Sequence, residues 1–194
     1  MSPTGQSRAA ARLRAPDPRW APLRPADRDR VAALVEALKL PAPLCSILAG
    51  RGIDDVAGAK RFLRPRLDHL GDPAALADGP AAARRIARAT REGETILVQP
   101  MSGADAIAAA ALLTRFLSGR GASVVPFVPH RLRDGYDFSA AGLEAARRAG
   151  ATLIVTVDCG TVAHQAIAEA SAAGMDVVVT DHHTVGDRLP DAVA

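Results

Sequence analysis

The sequence predicts an α/β protein, a doubly wound parallel sheet preceded by a small helical region. Three observations carry that reading. Four short runs, Thr95-Ile96-Leu97-Val98, Ser123 to Val128, Thr152 to Val157 and Asp176 to Thr180, are apolar almost throughout. Strands covered on both faces read this way, whereas half-exposed strands alternate. Alanine- and leucine-rich stretches of helical length separate the runs, so strand and helix alternate. Crossovers between parallel strands are right-handed, which distributes the helices over both faces. With 48% hydrophobic residues in 194, the chain has enough apolar side chain for a core, which excludes disorder for most of its length.

The elements follow in order. Residues 1–25 are rich in Arg, Pro and Ala without periodicity, and read as a mobile arm with Trp20 anchoring its end. A helical region spans 26–94. Its first helix starts at Asp27, carries Val31, Leu34, Val35 and Leu38 on one face, and is stopped by Pro41. A second carries Leu44, Ile47 and Leu48 and is capped by Gly50 or Gly52. A third begins at Asp54-Asp55, whose charges suit a helix N-terminus, buries Val56, Phe62 and Leu63, and ends before Pro65. Leu67, Leu70 and Gly71-Asp72-Pro73 form a connector to a fourth helix, about Pro80 to Arg91. The α/β domain spans 95–194. Its helices are expected over Asp105–Leu117, from an N-cap at Ser139 to Ala149-Gly150, and over Val162–Ala173. Pro126 removes a ladder donor and marks the second strand as an edge.

Charge is divided unevenly. Residues 1–95 hold 17 Lys+Arg against 11 Asp+Glu; residues 96–194 hold 7 against 10. The basic half suits a polyanion. A GC-rich genome would give the same arginine bias. Aromatics are only 3%, so base-stacking platforms are not expected. Cys45 and Cys159 are far apart and form no metal-binding pair, which excludes a disulfide scaffold and fits a reducing cytoplasm. The longest wholly apolar run, Ala106 to Leu113, falls short of the roughly 20 residues of a membrane span. The first residues lack the apolar core of a signal peptide.

In open α/β sheets ligands sit beyond the carboxyl ends of the strands. Asp105 follows the first strand, and His130, Arg131 and Arg133 follow the second. Asp158 and Gly160 follow the third; Asp181, His182 and His183 follow the fourth. Taken singly, an Asp at a strand end reads as a cap, and two His in a turn read as solvated. Together they bring carboxylate oxygen and imidazole nitrogen to one rim, the donor set of a Mn, Mg or Fe site or of a phosphate site. Cys159 reads as a small buried side chain and His164 as a helix-surface residue. No Walker loop, dinucleotide fingerprint or nucleophile elbow is present.

Thr156-Val157-Asp158-Cys159-Gly160 and Val179-Thr180-Asp181-His182-His183 resemble the DHH phosphoesterase superfamily, and within it the bacterial exonucleases specific for single-stranded DNA. Pro129-His130-Arg131, Gly135-Tyr136-Asp137-Phe138-Ser139 and Leu189-Pro190-Asp191-Ala192 fit the same pattern. So do Trp20, Arg51-Gly52-Ile53, Phe62-Leu63-Arg64-Pro65 and Leu70-Gly71-Asp72-Pro73, so the resemblance covers about residues 20–194. It implies metal-assisted, 5′-to-3′ phosphodiester hydrolysis in DNA repair and recombination, with Mn²⁺ or Mg²⁺ as cofactor and single-stranded DNA as partner. It implies metal binding by Asp105, Asp158 and His182, catalytic roles for Asp181 and His183, and substrate contacts from His130 and Arg131.

One motif departs. Where the family reads H-G-D-Y-D-x-D-G, this chain reads Gln99-Pro100-Met101-Ser102-Gly103-Ala104-Asp105-Ala106. Only Asp105 of the three aspartates is kept. The resemblance implies two ions bridged by Asp158, and the ligands of the second are replaced by groups without a hard anionic oxygen. The expectations are partial metal occupancy and a chain without nuclease activity by itself; the alternative is a non-catalytic nucleic-acid-binding or scaffold module. The chain ends at Ala194, where a further strand is expected. The domain therefore reads as incomplete at its C-terminal end, with an unpaired edge.

Overall fold

The computed structural model describes residues 25–194. The predicted arm and Trp20 lie outside the described residues, Pro25 apart. The chain forms two compact units, one ending at Leu70 and the other spanning Gly71–Ala194.

The first unit is helical. Helix α1 (Arg28–Leu38) is capped by Asp27, whose carboxylate accepts from the backbone N–H of Asp29 and Arg30, and it closes on Lys39 in a left-handed conformation. Helix α2 (Ala42–Gly50) is followed by Gly52 in a left-handed conformation, and α3 (Val56–Leu63) is capped by Asp55, which accepts from Gly58 N–H at 2.7 Å. Leu34, Cys45, Leu48 and Ala59 form the core. Phe62 and Leu63, expected inside, are 52% and 44% exposed. In a helix of eight residues, Ala59 and Val56 already fill the buried stripe.

The second unit is the sheet and its helices. In chain order these are α4 (Gly79–Glu92), β1 (Thr95–Pro100), α5 (Ala104–Gly119), β2 (Ser123–Pro126), α6 (Ala140–Ala149), β3 (Leu153–Val157), α7 (His164–Ala172) and β4 (Asp176–Thr180). All strand pairs are parallel, in the order β2-β1-β3-β4, so the Pro126 strand is an edge as expected. Both faces are covered. Leu97, Ile154 and Val177 pack on one side with Leu143 of α6 and Ile167 of α7. Ile96, Val98, Leu153, Val155 and Val178 pack on the other with Ala89 of α4 and Ala110 and Leu117 of α5. By that packing α4 belongs to the sheet unit, although its sequence groups it with the preceding helices.

Two local expectations change. Ser139 stands at the N-cap of α6, but its hydroxyl donates to the carbonyl of Asp134 at 3.1 Å instead of capping the helix. The far edge of β4 is not bare. Val193 N–H donates to Val177 O and Val179 N–H to Ala194 O, both at 2.9 Å, so the last residues already extend the ladder.

The strand order makes β1 and β3 the topological switch point. The chain winds outward to β2 on one side and to β3 and β4 on the other, leaving a crevice between the loops after β1 and β3. At the opposite end of the sheet, Arg85 of α4 is 93% removed from solvent. Its guanidinium grips Glu94 through two hydrogen bonds, at 3.1 and 2.7 Å, and also binds Asp176. That staple holds α4 against the starts of β1 and β4.

Candidate functional site

Met101 N–H donates to Val157 O at 2.9 Å, which draws the loop after β1 against the end of β3. Asp158 is the first residue past β3 and is left-handed, at φ 59°. For a residue with a Cβ that conformation costs about 1–2 kcal/mol and must be held by its surroundings. Here Asp158 N–H donates to Thr180 O at 2.7 Å, Thr156 Oγ1 to Cys159 O at 2.7 Å, and Thr180 Oγ1 to Thr156 O at 2.6 Å. Gly160 completes the turn at φ 114°, where an added Cβ would stand 2.8 Å from Thr156 Oγ1 and 3.1 Å from Val179 Cγ1. The same turn buries Cys159. Burial, with Asp137 nearby, pushes its thiol up to about 12, so it stays protonated and inert.

After β4, Asp181 organises the His-His pair. Its Oδ1 accepts from the backbone N–H of His182 (2.8 Å) and His183 (3.2 Å) and from His183 Nδ1 (2.7 Å). Its Oδ2 accepts from Thr161 N–H at 3.0 Å. Burial opposes ionisation, but these donors, His183 foremost, outweigh it and hold the carboxyl well below the usual carboxylate range. The same contact raises the His183 imidazole above its ordinary value. The two imidazole rings stack with centroids 4.9 Å apart. Asp181 thus fixes the backbone of the His-His turn and the His183 ring, and it also lines the recess over Asp158 and His182.

Asp158, His182 and His183 each offer one ligand atom within 4.8 Å of the others. Asp158 Oδ1 is buried and accepts no hydrogen bond. It lies 2.6 Å from His182 Nε2 with no hydrogen bond between them. A buried, unsatisfied carboxylate oxygen beside an exposed imidazole nitrogen fits a divalent cation of oxygen and nitrogen preference. The recess over this pair has a volume of about 350 Å³ and is lined by Asp105, Ala106, Ala109, Val157, Asp158, Thr180, Asp181 and His182.

The other expected residues divide. Asp105 is exposed in the first turn of α5 and lines the recess, outside the tight cluster. Arg131 reaches the altered loop: its guanidinium donates to Ser102 O at 3.2 Å and lies over the Tyr136 ring, 4.8 Å from the centroid. His130 is exposed and absent from the recess lining. Its backbone N–H donates to Asp134, whose carboxyl is held at about 2 by Arg133 first and then by that N–H. Gln99, where the family pattern has His, is wholly buried and turned toward α6. Its Nε2 donates to Asp137 O at 3.4 Å, and its Oε1 would stand 1.7 Å from a Cβ at Gly142. Sequence reasoning missed Ser102, whose hydroxyl is buried and unpartnered, and Thr161, which helps to fix Asp181. A small polar residue in a loop gives no sign of its partner when that partner lies 20 positions away.

The family model described as "DHH family, N-terminal domain" matches residues 95–194. The chain is 32% identical over 176 residues to the single-stranded-DNA-specific exonuclease RecJ of Bacillus subtilis, covering 91% of this chain and 22% of that protein. The chain thus spans about a quarter of the length of the curated relatives it matches. Among solved structures it is similar to RecJ of Thermus thermophilus in complex with Mn²⁺, with a TM-score of 0.60 and 29% identity over 85% of this chain and 22% of that one. It is also similar to an exonuclease RecJ bound to manganese, with a TM-score of 0.54 and 38% identity over 58% of this chain and 29% of that one.

Proposed function

The chain belongs to the DHH family, and from that premise we propose that it binds single-stranded DNA and one divalent ion, Mn²⁺ or Mg²⁺, without hydrolysing DNA by itself. The observation that carries this is the buried, unpartnered Oδ1 of Asp158 facing His182 Nε2. Asp158 and His182 would hold the ion, with Asp105 at the recess wall as a further carboxylate. When bound, such an ion supplies Lewis-acid stabilisation of a phosphoryl oxygen and a water of lowered pKa. Asp181 orients the exposed His183 imidazole, which would donate to a phosphate oxygen. Arg131, braced on Ser102 O and Tyr136, would hold the DNA backbone.

Among the described residues a second ion has no comparable donors. Met101 offers a thioether, Gly103 offers nothing, and the Gln99 amide is committed to the core. Two-metal hydrolysis uses one ion at the attacking oxygen and one at the leaving oxygen. Gln99 is wholly buried toward Gly142, with its Oε1 left without a partner, so it stands in the core and not at the ion. Incubating the 194-residue chain with end-labelled single-stranded DNA and Mn²⁺ tests the reading. Retention of DNA on the protein with the label uncleaved is expected. Mn²⁺-dependent shortening of the DNA, abolished by Asp158→Ala, would overturn it.

A further inference from the structure

The helical unit carries a second feature, independent of the recess over Asp158. Lys60, Arg61, Arg64, Arg66 and His69 line one open hollow of about 320 Å³ at the C-terminal end of α3, with Ala57 as the only other lining residue. Four formal cations converge there. Among the described residues one carboxylate answers them: Asp68 takes Arg66 in a two-bond grip, at 2.9 and 2.8 Å, and stands 3.8 Å from His69. Lys60, Arg61 and Arg64 form no ion pair among the described residues.

The helix explains part of this, since cations in a last turn complement the negative end of the helix dipole. It does not explain Arg66, beyond the helix, or the missing counter-charges. The nearest preceding acids, Asp54 and Asp55, are spent at the other end of α3, where Asp54 pairs with Arg30 and Asp55 caps Gly58. The charge is therefore segregated along the helix, and the hollow keeps a net positive charge in a shape open on one side. Three of its four cations are Arg, whose planar fork matches phosphate oxygens. No Phe, Tyr or Trp lines it and His69 is its one aromatic ring, so the hollow offers charge and not a stacking platform.

From this we infer that the hollow formed by Lys60, Arg61, Arg64 and Arg66 is a binding site for the phosphodiester backbone of single-stranded DNA, separate from the Asp158 site. The choice of DNA rests on the reading above; the site rests on the hollow itself. The test is anisotropy of a fluorescein-labelled dT20 oligonucleotide with the full chain across a salt series. Replacing Lys60, Arg61 and Arg64 by Ala removes three cations, so the salt slope should become shallower by about 2, at roughly 0.7 per phosphate. A fall in low-salt affinity of at least about tenfold is expected with it. All three side chains are exposed, so circular dichroism should be unchanged. Arg61→Lys with Arg64→Lys keeps the charge and should keep the slope.

An unchanged slope in the triple Ala variant overturns the site. If Arg131→Ala alone then lowers affinity, the functional reading stands without it. Absence of any binding by the unmodified chain overturns both. A polyglutamate peptide that displaces the oligonucleotide at equal charge would show an acidic-peptide site instead, and overturns the choice of DNA.

Discussion

Asp158 Oδ1 and His182 Nε2 stand 2.6 Å apart, although the Asp158 side chain is 10% exposed and that of His182 is 78% exposed. The carboxylate is fixed by a left-handed turn at the end of β3. The imidazole sits on a loop after β4 whose backbone is tied down by Asp181. A buried acceptor with no donor costs roughly 1–3 kcal/mol, a cost that a cation would remove. Titration calorimetry should therefore give a Mn²⁺ stoichiometry near one. Asp158→Asn and His182→Ala should each weaken binding by about tenfold or more, on the scale seen for groups that tune metal sites. Two equivalents bound by the unmodified chain would count against the single-ion site.

The loop after β1 yields a sharper expectation. A Cβ added at Gly103 would stand 3.1 Å from Asp105 Oδ1 and 3.4 Å from the Met101 methyl. Gly103→Asp thus sets a second carboxylate beside Asp105, and like charges so close repel. That variant should melt lower than the unmodified chain in EDTA and recover in Mn²⁺. Adding Met101→Asp should raise the calorimetric stoichiometry toward two. Equal melting of Gly103→Asp with and without metal would show that the loop no longer faces the ion.

Gln99 and Gly142 should behave as a coupled pair. Gly142→Ala forces its methyl to within 1.7 Å of Gln99 Oε1 and 3.0 Å of Phe138 Cδ2. Overpacking of this kind costs about 1–3 kcal/mol. Shortening the partner in Gln99→Ala/Gly142→Ala makes room, so the double variant should be more stable than the sum of the two losses predicts. Urea midpoints of the four proteins give the coupling directly. Simple additivity would mean that Gln99 does not pack as described.

Much of this is legible in the sequence. The four apolar runs became the four strands, Pro126 marked the edge, and Asp27 and Asp55 proved to be caps because Asp at those positions finds free helix N–H groups. Convergence of Asp158 and His182 follows from β3 and β4 being neighbours, which a parallel alternation makes natural. What was not legible depends on packing. Arg85 looks like one of four arginines on a solvated helix face; only the approach of Glu94 and Asp176 buries it. Phe62 looks like core, yet α3 is too short to bury both its flanks. Gln99 looks like a lost ligand, and its role in the core appears only once Gly142 is beside it.

The Arg85 staple supplies the pH expectation. Its hydrogen bonds, then Thr152, hold the Glu94 carboxyl below its ordinary value. A carboxyl depressed in the folded state adds stability that is fully present above its unfolded value of about 4.3 and is lost as pH falls through the folded one. Arg85 stays charged over this range, so the loss belongs to Glu94. Breaking a buried pair by removing one partner costs about 3–5 kcal/mol, and nearer 2 here because Asp176 is 39% exposed. Arg85→Ala should lower the urea midpoint at pH 7, and the gap from the unmodified protein should narrow as pH falls below 4. Arg85→Met, which keeps the volume without the charge, should show the same narrowing. A gap constant from pH 7 to pH 3 would place the effect in packing, not in the ion pair.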